Sequence, residues 1–181
     1  KQQLLEKNYK AFIRNGANLN EEDKNVLRDI DLNKSKLGLK FGENVLAETN
    51  DYEMIITDKA DLAGLPEGLI EAAKMLADEK NIDGWVFTLD YPSYIPFMTY
   101  ADNRRLREKL AKAFGSRAMK NNEHDNQQNV IDIVKLRHQR AKLLGYDSHA
   151  HYVLEERMAE DPNKVKDFLE KLLSKAKPAA K

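Results

Sequence analysis

Gly84-Trp85-Val86-Phe87-Thr88-Leu89-Asp90 runs into Tyr91-Pro92-Ser93-Tyr94-Ile95-Pro96-Phe97-Met98-Thr99-Tyr100-Ala101, then Asp102-Asn103-Arg104-Arg105-Leu106-Arg107-Glu108 and on to Ala118-Met119. Three kinds of local structure follow one another here. Trp85 to Leu89 is aromatic and β-branched and follows a glycine, which predicts a short strand. Pro92 and Pro96 lack a backbone N–H, so neither a ladder nor a regular helix is expected across the middle. Beyond Asn103, the residues Leu106, Leu110, Ala113, Phe114 and Ala118 recur at helical spacing and share one face. Asp102 is the expected N-cap, and Asp90 or Ser93 is available to cap a shorter helix upstream.

Working toward the N-terminus, Glu53-Met54-Ile55-Ile56-Thr57 is short and apolar and predicts a second strand. Between the strands, Lys59 to Leu65 suits a helical turn. Pro66 then opens a helix with Leu69, Ala72, Ala73, Leu76 and Ala77 inward. A connection of this kind permits parallel or antiparallel pairing. Further back, Leu5, Tyr9, Phe12 and Ile13 share a helical face that Gly16 is placed to end. Asn20 caps a long helix with Glu21, Glu22 and Asp23 in its first turn, where the helix dipole favours acids. Val26, Ile30, Leu37, Phe41 and Val45 carry its apolar phase to about Glu48.

Toward the C-terminus, Lys120 to Gln128 is polar and reads as a loop. Val130, Ile133, Val134, Arg137, Ala141 and Leu144 form the next stripe, widened by Ile131, Leu136 and Leu143 and ended by Gly145. A shorter helix spans Ser148 to Arg157, capped by Asp147 or Ser148, with Tyr152 and Val153 inward. Asp161-Pro162 is a helix start, and Val165, Phe168, Leu169, Leu172, Leu173 and Ala176 follow as an amphipathic stripe limited by Pro178. The fold class expected is mainly α, a multi-helix array with one small two-stranded β-sheet. Residues 1–181 form a single helical segment: a helical hairpin at 1–48, the small sheet plus a helix at 49–101, and a helical part at 102–181.

Thirty basic and thirty acidic side chains balance, which disfavours nucleic acid as a partner. No apolar run approaches the ~20 residues of a membrane span, so no membrane partner is expected. Without cysteine there is neither a disulfide nor a thiolate zinc site. His149 and His151 lie two apart, on opposite sides of a helix. None of His124, His138, His149 and His151 stands in the H-E-x-x-H spacing of a zinc helix, so surface or packing roles are expected for all four. Asn103, Arg104, Arg105, Arg107 and Glu108 allow an anion grip, but a solvated helix face with structural ion pairs is the better reading. The aromatics from Trp85 to Tyr100 are read first as core. No serine sits in a nucleophile elbow, and adjacent Glu155 and Glu156 diverge on a helix.

A family resemblance rests on the opening stretch: Trp-x-x-x-Leu, Tyr-x-x-Tyr-x-Pro and Tyr-Ala-x-Asn-Arg-x-Leu-Arg-Glu at Trp85–Leu89, Tyr91–Pro96 and Tyr100–Glu108. It extends to Asn20–Lys24, Leu37–Thr49, Ala141–Tyr146 and Met158–Pro162. Together these resemble the non-catalytic half of the thimet-oligopeptidase-like (M3) zinc metallopeptidases, nearest the bacterial peptidyl-dipeptidase and oligopeptidase A branch. The resemblance implies antiparallel pairing of the strands. It also implies a parent enzyme that cleaves short peptides with a zinc-activated water, a glutamate base and a groove between helical halves. Its zinc motif is absent here, so no catalytic, cofactor-binding or metal residue is assigned in this chain, and the chain alone is expected neither to bind zinc nor to hydrolyse peptides. Zn2+, short peptides and the remaining catalytic half of the same polypeptide are the parent's partners. Part of the aromatic cluster would then line the groove. The ends at Lys1 and Lys181 read as those of an excised piece. A cytoplasmic parent is implied, with a periplasmic one left open. The alternative is a free-standing helical protein-interaction module.

Overall fold

Alternation in Met54-Ile55-Ile56 sends Met54 and Ile56 inward and Ile55 outward, and this pattern sets the sheet. The computed structural model describes residues 1–180. Among them β1 (Met54–Ile56) pairs antiparallel with β2 (Trp85–Phe87), Met54 opposite Phe87 and Ile56 opposite Trp85. Both strands are shorter than the five-residue segments expected. Thr88 is turned away by the loop leading to the next helix, where its N–H donates to Ser93 Oγ at 3.0 Å. The helices are α1 (Gln2–Arg14), α2 (Glu21–Asn50), α3 (Glu67–Glu79), α4 (Tyr91–Tyr100), α5 (Arg104–Gly115), α6 (Gln127–Leu143), α7 (His149–Leu154) and α8 (Pro162–Ala179), with a 3₁₀ turn at Lys59–Leu62. The chain is thus mainly α with one small sheet, as its periodicities predict.

The described residues form two compact units, one spanning Leu39–Val130 and the other made of Lys1–Gly38 and the chain from Ile131 onward. In the first, Met54, Ile56, Leu62, Leu65, Ala73, Phe87, Leu89, Phe97, Ala101 and Leu110 form one apolar core. Gly84 delivers the chain into β2 at φ +116°, and a Cβ there would run into the carbonyl oxygen of Ile56. Glycine is therefore required at that point by conformation and by space alike.

The prolines do not break the chain as expected, because α4 passes through both. Pro92 sits at the second helical position, where an N–H has no intrahelical partner to lose. Pro96 removes one bond from the middle of the helix. Packing offsets that loss. Phe97 is fully buried and meets Phe87 edge to face at 4.8 Å, and Tyr94 stacks on Phe114 at 4.1 Å. The cap of α5 is Asn103, whose Oδ1 accepts from the N–H groups of Arg105 and Leu106 at 3.0 and 3.3 Å. Asp102 instead donates its N–H to Ala63 O at 2.9 Å. Ala118 is buried but lies beyond the end of α5, in a turn with φ +55°.

The buried faces of the long helices are also rotated from their apolar stripes. In α2, Leu27, Ile30, Asn44, Glu48 and Thr49 are buried, whereas Val26 and Phe41 are exposed. In α6, Asn129, Arg140 and Ala141 are buried, and Val130, Val134 and Arg137 face out. In both helices polar side chains with distant partners claim the interior, so hydrophobic phase alone points the wrong way.

In the second unit Arg14 is central. Its guanidinium lies against the rings of Tyr146 and Tyr152, donates to Tyr146 Oη at 3.0 Å and to the Tyr152 carbonyl at 2.6 Å, and pairs with Glu155. Arg140 pairs with Asp31 at 2.9 Å and donates to Asn15 Oδ1 at 3.1 Å. Gly16 ends the turn after α1 at φ +89°. α7 is shorter than expected, and Ser148 caps it. Asp161 caps α8 as expected, but α8 runs through Pro178 to Ala179 and has no buried residue, nor has α1. The amphipathic stripe of α8 is therefore not buried. Phe168, Leu169, Leu172 and Leu173 are 51–61% exposed, because nothing among the described residues covers them.

Candidate functional site

Four of the six aromatics from Trp85 to Tyr100 gather at one core, where Trp85 and Tyr94 pack against its buried members. Phe87 and Phe97 belong to the core. Tyr94 and Phe114 stack beside Arg117, whose guanidinium carbon is 3.6 Å from the Phe114 centroid. Tyr91 and Tyr100 stand exposed. The arginines do not form an anion grip. Arg107 donates to the carbonyls of Ala101 and Asp102, Asn103 holds Asp61 at 2.7 Å, and Glu108 pairs with Lys112 at 2.5 Å. Arg104 and Arg105 lie on the solvated face of α5. This is the helix-face reading favoured above.

A cleft of about 490 Å³ opens between α3 and the chain leading from β2 into α4. Leu69, Ala72, Ala73 and Leu76 line one side, and Val86, Thr88, Asp90, Pro92 and Ser93 the other. The small side chains of Ala72 and Ala73 leave the room. Its far wall is held in shape by the Thr88 N–H bond to Ser93 and by Thr88 Oγ1, which donates to Asp90 Oδ2 at 3.1 Å. The cleft thus has an apolar floor with a carboxylate and two hydroxyls on one edge. The alanines of α3 were readable as an inward face, but an open cleft in front of them was not.

A buried carboxylate on α2 carried no signal in the sequence. Glu48 is buried, pairs with Lys120 and accepts from Asn122. Burial alone would raise its pKa. Hydrogen bonds from Lys120 and Asn122, with the charges of Lys120 and His124, outweigh burial and hold it below the usual carboxylate range. Alongside it, Asn44 and Asn129 donate to Asn126 Oδ1, each at 2.9 Å, Asn126 donates to Phe41 O at 3.0 Å, and Arg117 donates to Thr49 Oγ1 at 2.9 Å. This network fastens the polar loop before α6 onto α2. It is a structural clasp.

Among the described residues no three His, Asp or Glu side chains come together in a group that holds a metal. His151 Nδ1 lies 2.8 Å from Ser148 Oγ, and His149 stacks on Tyr152 with centroids 6.3 Å apart. Burial, then the charges of Arg137, Lys34 and Arg140, lowers the His149 pKa. His124 sits 3.9 Å from Glu123, and His138 is exposed.

Sequence comparisons place this helical architecture beside known proteins. Residues 97–181 match Peptidase family M3. It is 40% identical over 171 residues to oligopeptidase A of Salmonella typhimurium, taking in 92% of this chain and 25% of that protein. Against oligopeptidase A of Haemophilus influenzae it is 39% identical over 178 residues, 96% of this chain and 26% of that protein. Against the dipeptidyl carboxypeptidase of Escherichia coli it is 30% identical over 178 residues, 98% of this chain and 26% of that protein. The chain therefore spans about a quarter of the length of the curated relatives it matches. Both oligopeptidases exceed the dipeptidyl carboxypeptidase in identity. No helix among the described residues is long and apolar enough to cross a membrane.

Proposed function

We propose that this chain is a non-catalytic helical portion of an M3 zinc metallopeptidase, forming wall of a groove that admits short peptides and supporting the portion that carries the metal. One observation carries the reading. A chain spanning a quarter of its relatives' length presents α1 and α8 with their apolar faces uncovered, as a piece built to receive further protein would. The α3–α4 cleft supplies a surface on which a peptide side chain would rest. Zinc, held elsewhere in the parent, would supply an activated water. The residues described here would exclude bulky substrates and hold the framework in shape.

The test is a chimera in which this chain replaces the matching quarter of an oligopeptidase A. Turnover of a quenched fluorescent peptide that a chelator abolishes is the result expected. Chelator-sensitive turnover by the 181-residue chain alone, at a rate near the chimera's, would overturn the reading.

A further inference from the structure

α8 carries more than an uncovered apolar stripe. At 100° per residue, Val165, Phe168, Leu169, Leu172, Leu173 and Ala176 occupy one side of the helix. Lys164, Lys171 and Lys175 border that stripe on one flank, and Lys166, Glu170 and Lys177 border it on the other. Five of these six bordering residues are lysines, in a chain whose total charge is zero. Lys164 pairs with Glu160 at 2.7 Å, but Lys166, Lys171, Lys175 and Lys177 pair with no carboxylate among the described residues. An apolar ridge with unpaired cations along both edges is complementary to an apolar groove with carboxylates on its rims.

We infer that α8 seats in such an acid-rimmed groove, and that the groove belongs to the M3 polypeptide lying outside this quarter. This rests on the function proposed above. The whole of α8 falls inside the residues that match the family, so the ridge belongs to peptidase sequence. A second copy of this chain is the poorer occupant. The stripe is symmetric about the midpoint of Glu170 and Lys171, so an antiparallel pair would set Lys171 against Lys171 and Glu170 against Glu170. An anionic lipid surface would suit the lysines equally, and the experiment separates it.

The chain has no cysteine, so Leu172→Cys introduces a single thiol on the ridge. Its labelling rate is compared in the isolated chain and in the oligopeptidase A chimera, with the labelled peptide identified by mass. Labelling is expected to be fast in the isolated chain and about a hundredfold slower in the chimera, as for a site that opens rarely. Lys171→Glu with Lys175→Glu in the chimera is expected to restore about a tenth or more of the fast rate, through repulsion from the acidic rim. α8 has no buried residue in this chain, so the far-UV spectrum of each isolated variant should match that of the unaltered chain. Equal labelling in isolated chain and chimera overturns the inference. So does protection of the isolated chain that grows with its own concentration, or that appears only with phosphatidylglycerol vesicles. Labelling needs no turnover, so an inactive chimera with a protected thiol counts against the proposed function and leaves this inference standing.

Discussion

Replacing Gly84 by alanine should damage the sheet-bearing unit severely. The residue stands at φ +116°, outside the range L-residues ordinarily occupy, which costs of order 1–3 kcal/mol. The added Cβ also meets the Ile56 carbonyl oxygen, a backbone atom of β1 that cannot rotate aside. Ile56 pairs with Trp85, so relief of the clash must pull the strands apart. That movement opens a core holding Met54 and Phe87, both fully buried. A total near 3 kcal/mol is expected, a large share of the roughly 5–15 kcal/mol available to a domain. With a urea slope of about 2 kcal/mol/M, the midpoint followed by far-UV circular dichroism should fall by about 1.5 M. Gly38→Ala is the control. It lies within α2 with nothing within 4 Å of the new methyl, so it should gain about 0.5–1 kcal/mol from helix propensity. An unchanged midpoint for Gly84→Ala, or equal shifts for the two variants, would refute the reasoning.

Glu48→Gln should cost about 1–3 kcal/mol at pH 7, because it loses charge-assisted hydrogen bonds while the partly exposed Lys120 returns to water. The folded pKa of Glu48 is lowered, so its contribution is present above the unfolded value and fades as pH falls through the folded one. The gap between the two proteins in urea should therefore narrow from about pH 4.5 downward; a gap constant from pH 7 to pH 3 would exclude this. Leu110→Ala, at a fully buried position, should cost about 2–5 kcal/mol. Leu169→Ala, Leu172→Ala and Lys171→Ala should all stay within about 0.5 kcal/mol of the unaltered chain, as exposed sites do, and urea midpoints decide the ordering. Titration calorimetry of zinc into the isolated chain should show no stoichiometric micromolar binding, since its histidines are dispersed.

Local rules found most of the elements. Ser148 and Asp161 cap α7 and α8 as their sequence positions demand, because a cap is settled within three residues. The small sheet and the stripe of α5 were equally plain. The burial pattern of α2 and α6 was not. Asn44 turns inward for Asn126, which lies 82 residues away, and Arg140 for Asp31 and Asn15, 109 and 125 residues away. No window of ten or twenty residues contains those partners. For Pro96 a real local cost was read correctly and the long-range gain from Phe97 against Phe87 was invisible. In α8 the amphipathic pattern was right, but whether a stripe is buried depends on what covers it, and no pattern carries that. The α3–α4 cleft was hidden for a related reason: small residues mark close packing and open space alike.

Trp85 is the single tryptophan, and it sits in β2, in the unit spanning Leu39–Val130. Its emission is thus a private channel for one unit, blind to α1, α7 and α8. Helical ellipticity, by contrast, sums over the whole molecule. Recording both along one urea gradient turns an accident of composition into a measure of cooperativity. Coincident curves would mean that the units melt as one, whereas a blue-shifted emission persisting after half the ellipticity is gone would isolate the stability of the sheet-bearing unit by itself.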